Sequence, residues 1–236
     1  MFQLFQKQPV MDYRRFRLSK LNEPEFSHLK LLGGWIFYFL MYFITENLIP
    51  ASSCHPIHCA LDDLIPFNEL FVIPYVFWYV LVGGSLLYYA LYNIEGFKRL
   101  QWFIILTQVI AMTIYVLYPS RQDLRPETFQ HHNFLTWIMG IIYAFDTPTG
   151  VCPSLHVGYS LGILSVVLKD REVPRFWKGV LIAVVITICC AVCFVKQHSA
   201  VDVAAAIPMC AVCEAIVWRD WWARQFKRQK AKRKIV

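Results

Sequence analysis

The chain has 236 residues, of which 57% are apolar and only 17% charged, and its formal net charge is +7. A soluble domain of this size carries more charge, so the composition excludes an ordinary soluble protein and favours a single polytopic membrane domain. The basic balance does not indicate nucleic-acid binding. The cations collect in segments that flank apolar runs, where they orient a membrane protein and contact anionic lipid headgroups.

Six apolar runs predict an all-α protein with six transmembrane helices. The runs are residues 30–49, 69–93, 101–118, 154–168, 176–195 and 200–218. The fourth run is short, but the proline at its start suits the first turn of a helix. A further apolar stretch at 134–145 is too short to cross, so we expect it to lie at the interface or to re-enter. The predicted divisions are an N-terminal segment (1–29), a six-helix membrane domain (30–218) and a basic tail (219–236).

The distribution of positive charge predicts the orientation of these helices. All but three of the 23 lysines and arginines fall in the N-terminal segment, in the second and fourth connections, or in the tail. The positive-inside rule then places both termini in the cytosol, and an even number of spans agrees. The three remaining cations are Arg121, Arg125 and Lys196, on the opposite side. We expect a bacterial cytoplasmic membrane, with a eukaryotic endomembrane as the alternative, and an extracytoplasmic or lumenal site.

Two of these cations follow the third run, in the sequence YPSRQDLRP at 118–126. Arg121 and Arg125 are four residues apart, so a helical turn would put both guanidinium groups on one face. The planar fork of arginine matches the oxygens of a phosphate. A solvated loop without a ligand is the alternative interpretation of this segment.

The fourth run begins with Pro153, Ser154, Leu155 and His156. A helix that starts after proline leaves backbone N–H groups free, and with the Ser154 hydroxyl these can hold an anion. His156, one turn further on, can give a proton to a leaving oxygen. The alternative is a simple helix cap followed by a packed histidine.

The sixth run begins just after His198, with Asp202 four residues further along. On a helix these two side chains share a face. The carboxylate can then accept from one ring nitrogen and leave the other free to attack an electrophile. Lys196 lies two residues before the histidine and adds a positive charge.

Together the three segments resemble the signature of the type 2 phosphatidic acid phosphatase superfamily, over about residues 69–218. That signature is a basic stretch ending in Arg-Pro, then Pro-Ser-x-His, then His-x-x-x-Asp. Here its parts are Arg125-Pro126, Pro153 to His156, and His198 to Asp202, in the family's order.

The resemblance implies a mechanism without metal or cofactor. By it, His198 is the nucleophile and forms a phosphohistidine, Asp202 orients it, and His156 protonates the leaving alkoxide. Arg125, Arg121, Lys196 and Ser154 would bind the phosphate oxygens. The implied function is an integral membrane phosphatase that hydrolyses a lipid phosphate, such as a phosphatidic acid or an isoprenyl pyrophosphate.

Two departures from the phosphatase pattern keep a second reaction open. Tyr118 stands where the pattern has a lysine, and Val192 where it has an arginine. The leucine in Pro-Ser-Leu-His (Leu155) and the absence of the arginine at Val192 make the chain resemble the branch that contains inositol phosphorylceramide and sphingomyelin synthases. Members of that branch transfer a phosphorylated headgroup to an alcohol. A non-catalytic membrane protein that binds an anion or a lipid is a third possibility. The oligomeric state is open.

The loop after the first run contains Cys54, His55, His58 and Cys59, followed by two aspartates. Cysteine and histidine are zinc ligands, but the four candidates are crowded into six positions and no second pair matches them, so we assign no metal. A disulfide between Cys54 and Cys59 in an oxidising compartment and a reduced loop both remain possible.

Overall fold

The structure, a computed structural model, describes residues 8–224 and is nearly all-α. Residues 1–7 of the predicted N-terminal segment and residues 225–236 of the predicted basic tail lie outside the described residues. Within residues 8–224 the labelled α-helices are, in chain order, α1 (Gly33–Leu48), α2 (Ala60–Leu64), α3 (Val72–Tyr92), α4 (Ile94–Leu117), α5 (Phe134–Phe145), α6 (Leu155–Lys169), α7 (Arg175–Phe194) and α8 (Ala200–Val217). Two short strands, β1 (His55–Pro56) and β2 (Ser120–Arg121), pair in parallel.

In the described part of the chain, five helical segments are long and apolar enough to cross a membrane, and four of them correspond to α3, α4, α7 and α8. The fifth, Ser27–Leu48, joins a 3-10 turn to α1. The apolar helices α5 and α6 are shorter. With 15 residues, α6 extends for about 22 Å at 1.5 Å per residue, against a hydrocarbon core of about 30 Å.

The start of the third long helix differs from the prediction. We expected it at residue 101, after a connection carrying Lys98 and Arg99, but α4 begins at Ile94. A single residue, Asn93, separates it from α3 and caps it by accepting from the Gly96 N–H at 2.9 Å. The charges that suggested a loop lie on the helix surface instead, where Arg99 pairs with Glu95 one turn away at 2.9 Å.

The short helix α6 lies at the centre of the bundle and packs against α3, α4, α7 and α8. Its contact with α4 depends on Gly162, because a Cβ there would lie 2.7 Å from Phe103 Cδ1. Burial of α6 on nearly every side explains why its sequence is rich in small residues. It also fixes the position of the residues at its first turn.

Hydrogen bonds between distant segments define one end of the bundle, called here the loop end. It carries β1, β2 and α5, the last turns of α1, α4 and α7, and the first turns of α3, α6 and α8. The bonds are Thr147 to Glu46, His55 N–H to the Pro119 carbonyl, Asn68 N–H to the Phe194 carbonyl and Ser154 N–H to the Asp202 carbonyl. Both described chain ends lie at the opposite end, where the Val10 N–H donates to the Leu91 carbonyl and Trp222 to Glu214.

Candidate active site

The first turn of α8 positions His198 against Asp202. Ser199 caps the helix, since its hydroxyl accepts from the Val201 N–H at 3.1 Å and its own N–H donates to Asp202 Oδ2 at 2.9 Å. The same carboxylate oxygen lies 3.2 Å from His198 Nδ1. The tautomer with hydrogen on Nδ1 donates to this carboxylate and leaves a lone pair on Nε2. The pairing that the sequence predicted is present, but His198 lies in the turn before the N-cap Ser199 and not on the helix with Asp202.

The first turn of α6 brings His156 beside this pair. The ring centroids of His156 and His198 are 5.7 Å apart. His156 lies over the rings of Tyr75 and Trp78, at 4.8 and 4.2 Å, and the Trp78 indole donates to the His156 carbonyl. Its Nε2 is buried and has no hydrogen-bond partner among residues 8–224. The two polar interruptions of the sequence thus meet at the loop end, with His156 Nε2 unpaired in this part of the chain.

Both histidines line a cavity of about 80 Å³. Its lining includes His156, Gln197 and His198 as well as the acidic residues Glu46 and Asp146. A water molecule needs about 10–15 Å³ on this scale, so the cavity accommodates a group of a few heavy atoms. This is enough room for a phosphate group or for several waters.

The carboxylates in this cavity were not predicted as site residues. Asp146 Oδ1 accepts from the Tyr42 hydroxyl at 2.8 Å, and Glu46 accepts from the hydroxyl and the N–H of Thr147. Glu46 is the only acidic residue in the predicted run 30–49, and an ionisable side chain at such a position is a signal that could have identified it. Asp146 lies in a loop whose sequence carries no comparable signal.

Arg125 is committed to protein acceptors rather than left open to the cavity. Four of its five N–H groups donate to the carbonyls of Tyr143, Asp146 and Thr147 and to Gln197 Oε1, at 2.7–3.3 Å. Only Nε–H is without a partner in the described part of the chain. The guanidinium also lies over the Tyr143 ring, 4.6 Å from its centroid. The arrangement fixes the loop that carries Asp146 beside Gln197, the neighbour of His198. A phosphate contact through Arg125 stays a prediction.

Arg121 does not share a helical face with Arg125. The expected helical turn is wrong, because residues 118–126 are extended and turn-like and Arg121 lies in β2. Its guanidinium pairs with Asp123 at 3.1 Å and donates to the carbonyls of Ala51 and Cys54. This geometry is determined by the pairing of β1 with β2, in which the paired residues are 65 positions apart in the chain. The local sequence around Arg121 does not indicate such a contact.

The other two predicted phosphate ligands also have partners of their own. Lys196 Nζ donates to the carbonyls of Asp62 and Ile65. The Ser154 hydroxyl faces the Val157 N–H at 3.5 Å, at the start of its own helix. Neither side chain lines the cavity. Their contact with substrate stays a prediction.

The two departures from the phosphatase pattern occupy structural positions. Tyr118 stacks on His55, with ring centroids 4.3 Å apart and planes 8° from parallel. Val192 is completely buried in the core. A cation at position 192 would disrupt this packing, whereas Tyr118 is 52% exposed, and neither side chain lines the cavity.

The cysteines and histidines of the loop after α1 do not form a common site. Cys54 and Cys59 are both free thiols, and His58 pairs with Asp63 at 2.8 Å. Within residues 8–224, no three His, Cys, Asp or Glu side chains come together as metal ligands. Cys152, beside the site, is a different case. Burial, then the charge of Asp202 and a hydrogen bond to it, raise the pKa of the Cys152 thiol to about 12, so it stays protonated and unreactive at neutral pH.

Comparison of the chain with protein-family models, with characterised proteins and with solved structures finds no match. The assignment of function therefore depends on the residues and geometry of the site.

Proposed function

We propose that this chain is an integral membrane enzyme of the type 2 phosphatidic acid phosphatase kind, which attacks a lipid phosphate with His198. The observation that carries the proposal is the buried His198–Asp202 pair at 3.2 Å, which lies beside His156 where both histidines line a small cavity. A site that only bound an anion would present cations, whereas the lining of this cavity brings two histidines together, one of them paired with a carboxylate, as a nucleophile and a proton donor require. The order of the three sequence motifs supports the same conclusion.

The proposed reaction has two steps. In the first, the Nε2 lone pair of His198 forms a bond to phosphorus, the ester P–O bond breaks, and the leaving oxygen takes a proton from His156. In the second, His156 takes a proton from water, the water oxygen attacks phosphorus, and the N–P bond breaks so that its electron pair returns to Nε2. Asp202 holds the Nδ1 hydrogen throughout and stabilises the positive charge on the ring.

Hydrolysis is the first candidate because of the size of the cavity. About 80 Å³ beside His198 admits water but leaves little space for a second lipid alcohol. The substrate class would be a phosphatidic acid or an isoprenyl pyrophosphate, whose acyl or prenyl chain stays in the membrane.

Transfer of a phosphorylated headgroup to an alcohol is the second candidate, and the charge of the cavity favours it. Glu46 and Asp146 line the same cavity as the histidines. Arg125 lies 3.8 Å from the Asp146 carboxylate but donates its hydrogen bonds to carbonyl and amide oxygens, and Lys196 donates to protein carbonyls. Two carboxylates repel a doubly charged phosphate monoester more strongly than a singly charged diester. A diester donor is the substrate of the transferase and not of the phosphatase.

The exposed face of α5 supports a lipid substrate. Phe134, Trp137 and Phe145 are between 61% and 87% exposed, while Thr136 and Met139 on the other face are buried. A helix with aromatic side chains on one face and too few residues to cross is typical of the membrane interface. Since α5 leads directly to Asp146 at the cavity, a lipid in the adjacent leaflet would meet the site at this helix.

We propose that α6 completes a set of six spans with α1, α3, α4, α7 and α8. Although shorter than the hydrocarbon core, α6 is surrounded by other helices and does not need to match the bilayer alone. The excess of lysine and arginine on the segments of the opposite end then places both termini in the cytosol and the loop end outside a bacterial cytoplasmic membrane or in the lumen of an endomembrane.

Labelling of single introduced cysteines tests this orientation. Asp123→Cys lies at the loop end, where the native side chain is 60% exposed, and Glu172→Cys lies in an exposed turn at the opposite end. We expect a membrane-impermeant maleimide to label position 123 in intact cells and position 172 only after permeabilisation, each measured against the unsubstituted chain. Labelling of position 172 alone in intact cells would place the loop end in the cytosol.

A substrate panel tests the function. The purified protein in detergent, without added metal, is offered labelled phosphatidic acid, an isoprenyl pyrophosphate, and a phospholipid together with a lipid alcohol. Release of inorganic phosphate supports the phosphatase, and a new phosphodiester lipid supports the transferase. Binding of these lipids without turnover of any of them would contradict an enzymatic role and favour a non-catalytic lipid-binding protein.

A further inference from the structure

The connection between α1 and α3 holds the turn that carries His198. Residues 59–65 of this connection, called here the clamp segment, include the short helix α2 and part of the loop that the sequence suggested as a metal site. The segment contacts the chain on both sides of His198, at Lys196 before it and at Ser199 and Ala200 after it. It lies more than 130 residues away in the sequence, so these contacts are purely tertiary.

Asp62 makes the contacts on the α8 side. Its Oδ2 accepts from the Ser199 hydroxyl at 2.6 Å and its Oδ1 from the Ala200 N–H at 2.8 Å. Oδ2 also accepts from the Cys59 N–H at 2.8 Å, which ties the carboxylate to its own segment. With 3% of its surface exposed, Asp62 is among the few buried acids of the described chain. Both carboxylate oxygens are thus occupied at the N-terminus of α8, where a negative charge is favourable.

Lys196 makes the contact on the other side. Its Nζ donates to the carbonyl of Asp62 at 2.9 Å and to that of Ile65. Its backbone has φ of 54°, the only left-handed conformation of a non-glycine residue in the described chain. Lysine rarely adopts this conformation, so the turn before His198 needs external support, and the buried Nζ contacts supply it.

The carboxylate of Asp62 is charged at neutral pH. Burial alone would raise its pKa, but the hydrogen bonds from Ser199, Ala200 and Cys59 outweigh burial and hold the pKa below its usual value. An ionised acceptor forms stronger and shorter hydrogen bonds than a neutral one, consistent with the 2.6 Å distance to Ser199.

We propose that Asp62 is a positioning residue for the nucleophile, a role that rests on the proposed function. It does not touch the cavity. It fixes Ser199, whose N–H donates to the same Asp202 oxygen that faces His198 Nδ1. Loss of the Asp62 charge would loosen this turn, so that the Asp202 carboxylate no longer selects one tautomer of the His198 ring. An error of about 1 Å in such a site can reduce turnover by about 100-fold.

The test compares Asp62→Asn with the matched control Asp63→Asn. Asp63 is the neighbouring acid in the same helix, but its side chain is 66% exposed and pairs only with His58. In the Asp62 variant we expect kcat to fall by about 10- to 100-fold with KM within about 2-fold, while the Asp63 variant keeps wild-type values. Retention of wild-type kcat by Asp62→Asn would overturn the proposal.

A spectroscopic measurement needs no substrate and so separates this proposal from the proposed function. In protein labelled with ¹⁵N-histidine, with the His198 signals assigned from the His198→Ala spectrum, the wild type and Asp63→Asn should show one tautomer with hydrogen on Nδ1. Asp62→Asn should show a mixture of tautomers. If Asp62→Asn does not fold, Ser199→Ala removes the 2.6 Å bond and should give the same change. Ring signals identical to wild type in the folded variant would overturn the proposal, whether or not the panel reveals an activity.

Discussion

Replacement of His198 by alanine is expected to reduce turnover of the lipid substrate by about 10⁴-fold or more, because the atom that bonds to phosphorus is removed. Binding of the substrate should change little, since the cavity walls, including Gln197 and Asp146, stay in place. The expected pattern is therefore a loss in kcat with a nearly unchanged dissociation constant, measured by steady-state turnover and by lipid binding to the purified protein.

His131→Ala is the matched control for this variant. His131 also lies at the loop end, but its side chain is 68% exposed and pairs with Glu69 outside the cavity. It should retain wild-type turnover. If His198→Ala turns over any substrate of the panel at the wild-type rate, another group is the nucleophile and the assignment is wrong.

Replacement of His156 by glutamine is expected to reduce turnover by about 10²- to 10⁴-fold for a lipid alcohol leaving group. Glutamine keeps a polar side chain of similar length beside Trp78 but cannot donate a mobile proton to the departing oxygen. The loss should depend on the leaving group. For an analogue that releases 4-nitrophenol, which departs as a stable anion, nitrophenol release in the first turnover should slow by less than about 10-fold. The first turnover is compared because His156 also activates water in the second step.

The comparison of the two leaving groups is an internal control, because misfolding or a blocked cavity would reduce both rates equally. An equal loss for the lipid and the nitrophenyl analogue would contradict the role of His156 as the proton donor. Its stacking against Tyr75 and Trp78 would then be its main contribution.

The sequence predicts the parts of this site that depend on local geometry. The pairing of His198 with Asp202 follows from a four-residue spacing across the start of a helix, with His198 in the turn before the N-cap Ser199, and the position of His156 follows from a helix that begins after Pro153. The apolar runs predict the helices themselves to within a few residues, apart from the start of α4. That helix begins earlier because a tight Asn93 cap and a surface ion pair replace the expected loop.

The parts that depend on tertiary contacts could not be predicted. Arg125 carries the right chemistry for a phosphate, but four carbonyl and amide acceptors from α5, its following loop and Gln197 surround it. Asp62 looked like a component of a metal cluster, and only the folded chain brings its carboxylate to the start of α8. In each case the residue type indicated a charged ligand, a phosphate or a metal ion, and the fold instead supplied hydrogen-bonding groups of the chain itself.

Detection of a phosphorylated intermediate tests the central claim most directly. The purified protein is mixed with lipid substrate carrying ³²P in the transferred phosphate, quenched in alkali within the first turnovers, and digested for mass spectrometry. The account predicts label that is stable to alkali, lost in acid as expected of an N–P bond, located on His198 and absent from His198→Ala. Turnover without any protein-bound phosphate, or label on a residue other than His198, would contradict the account.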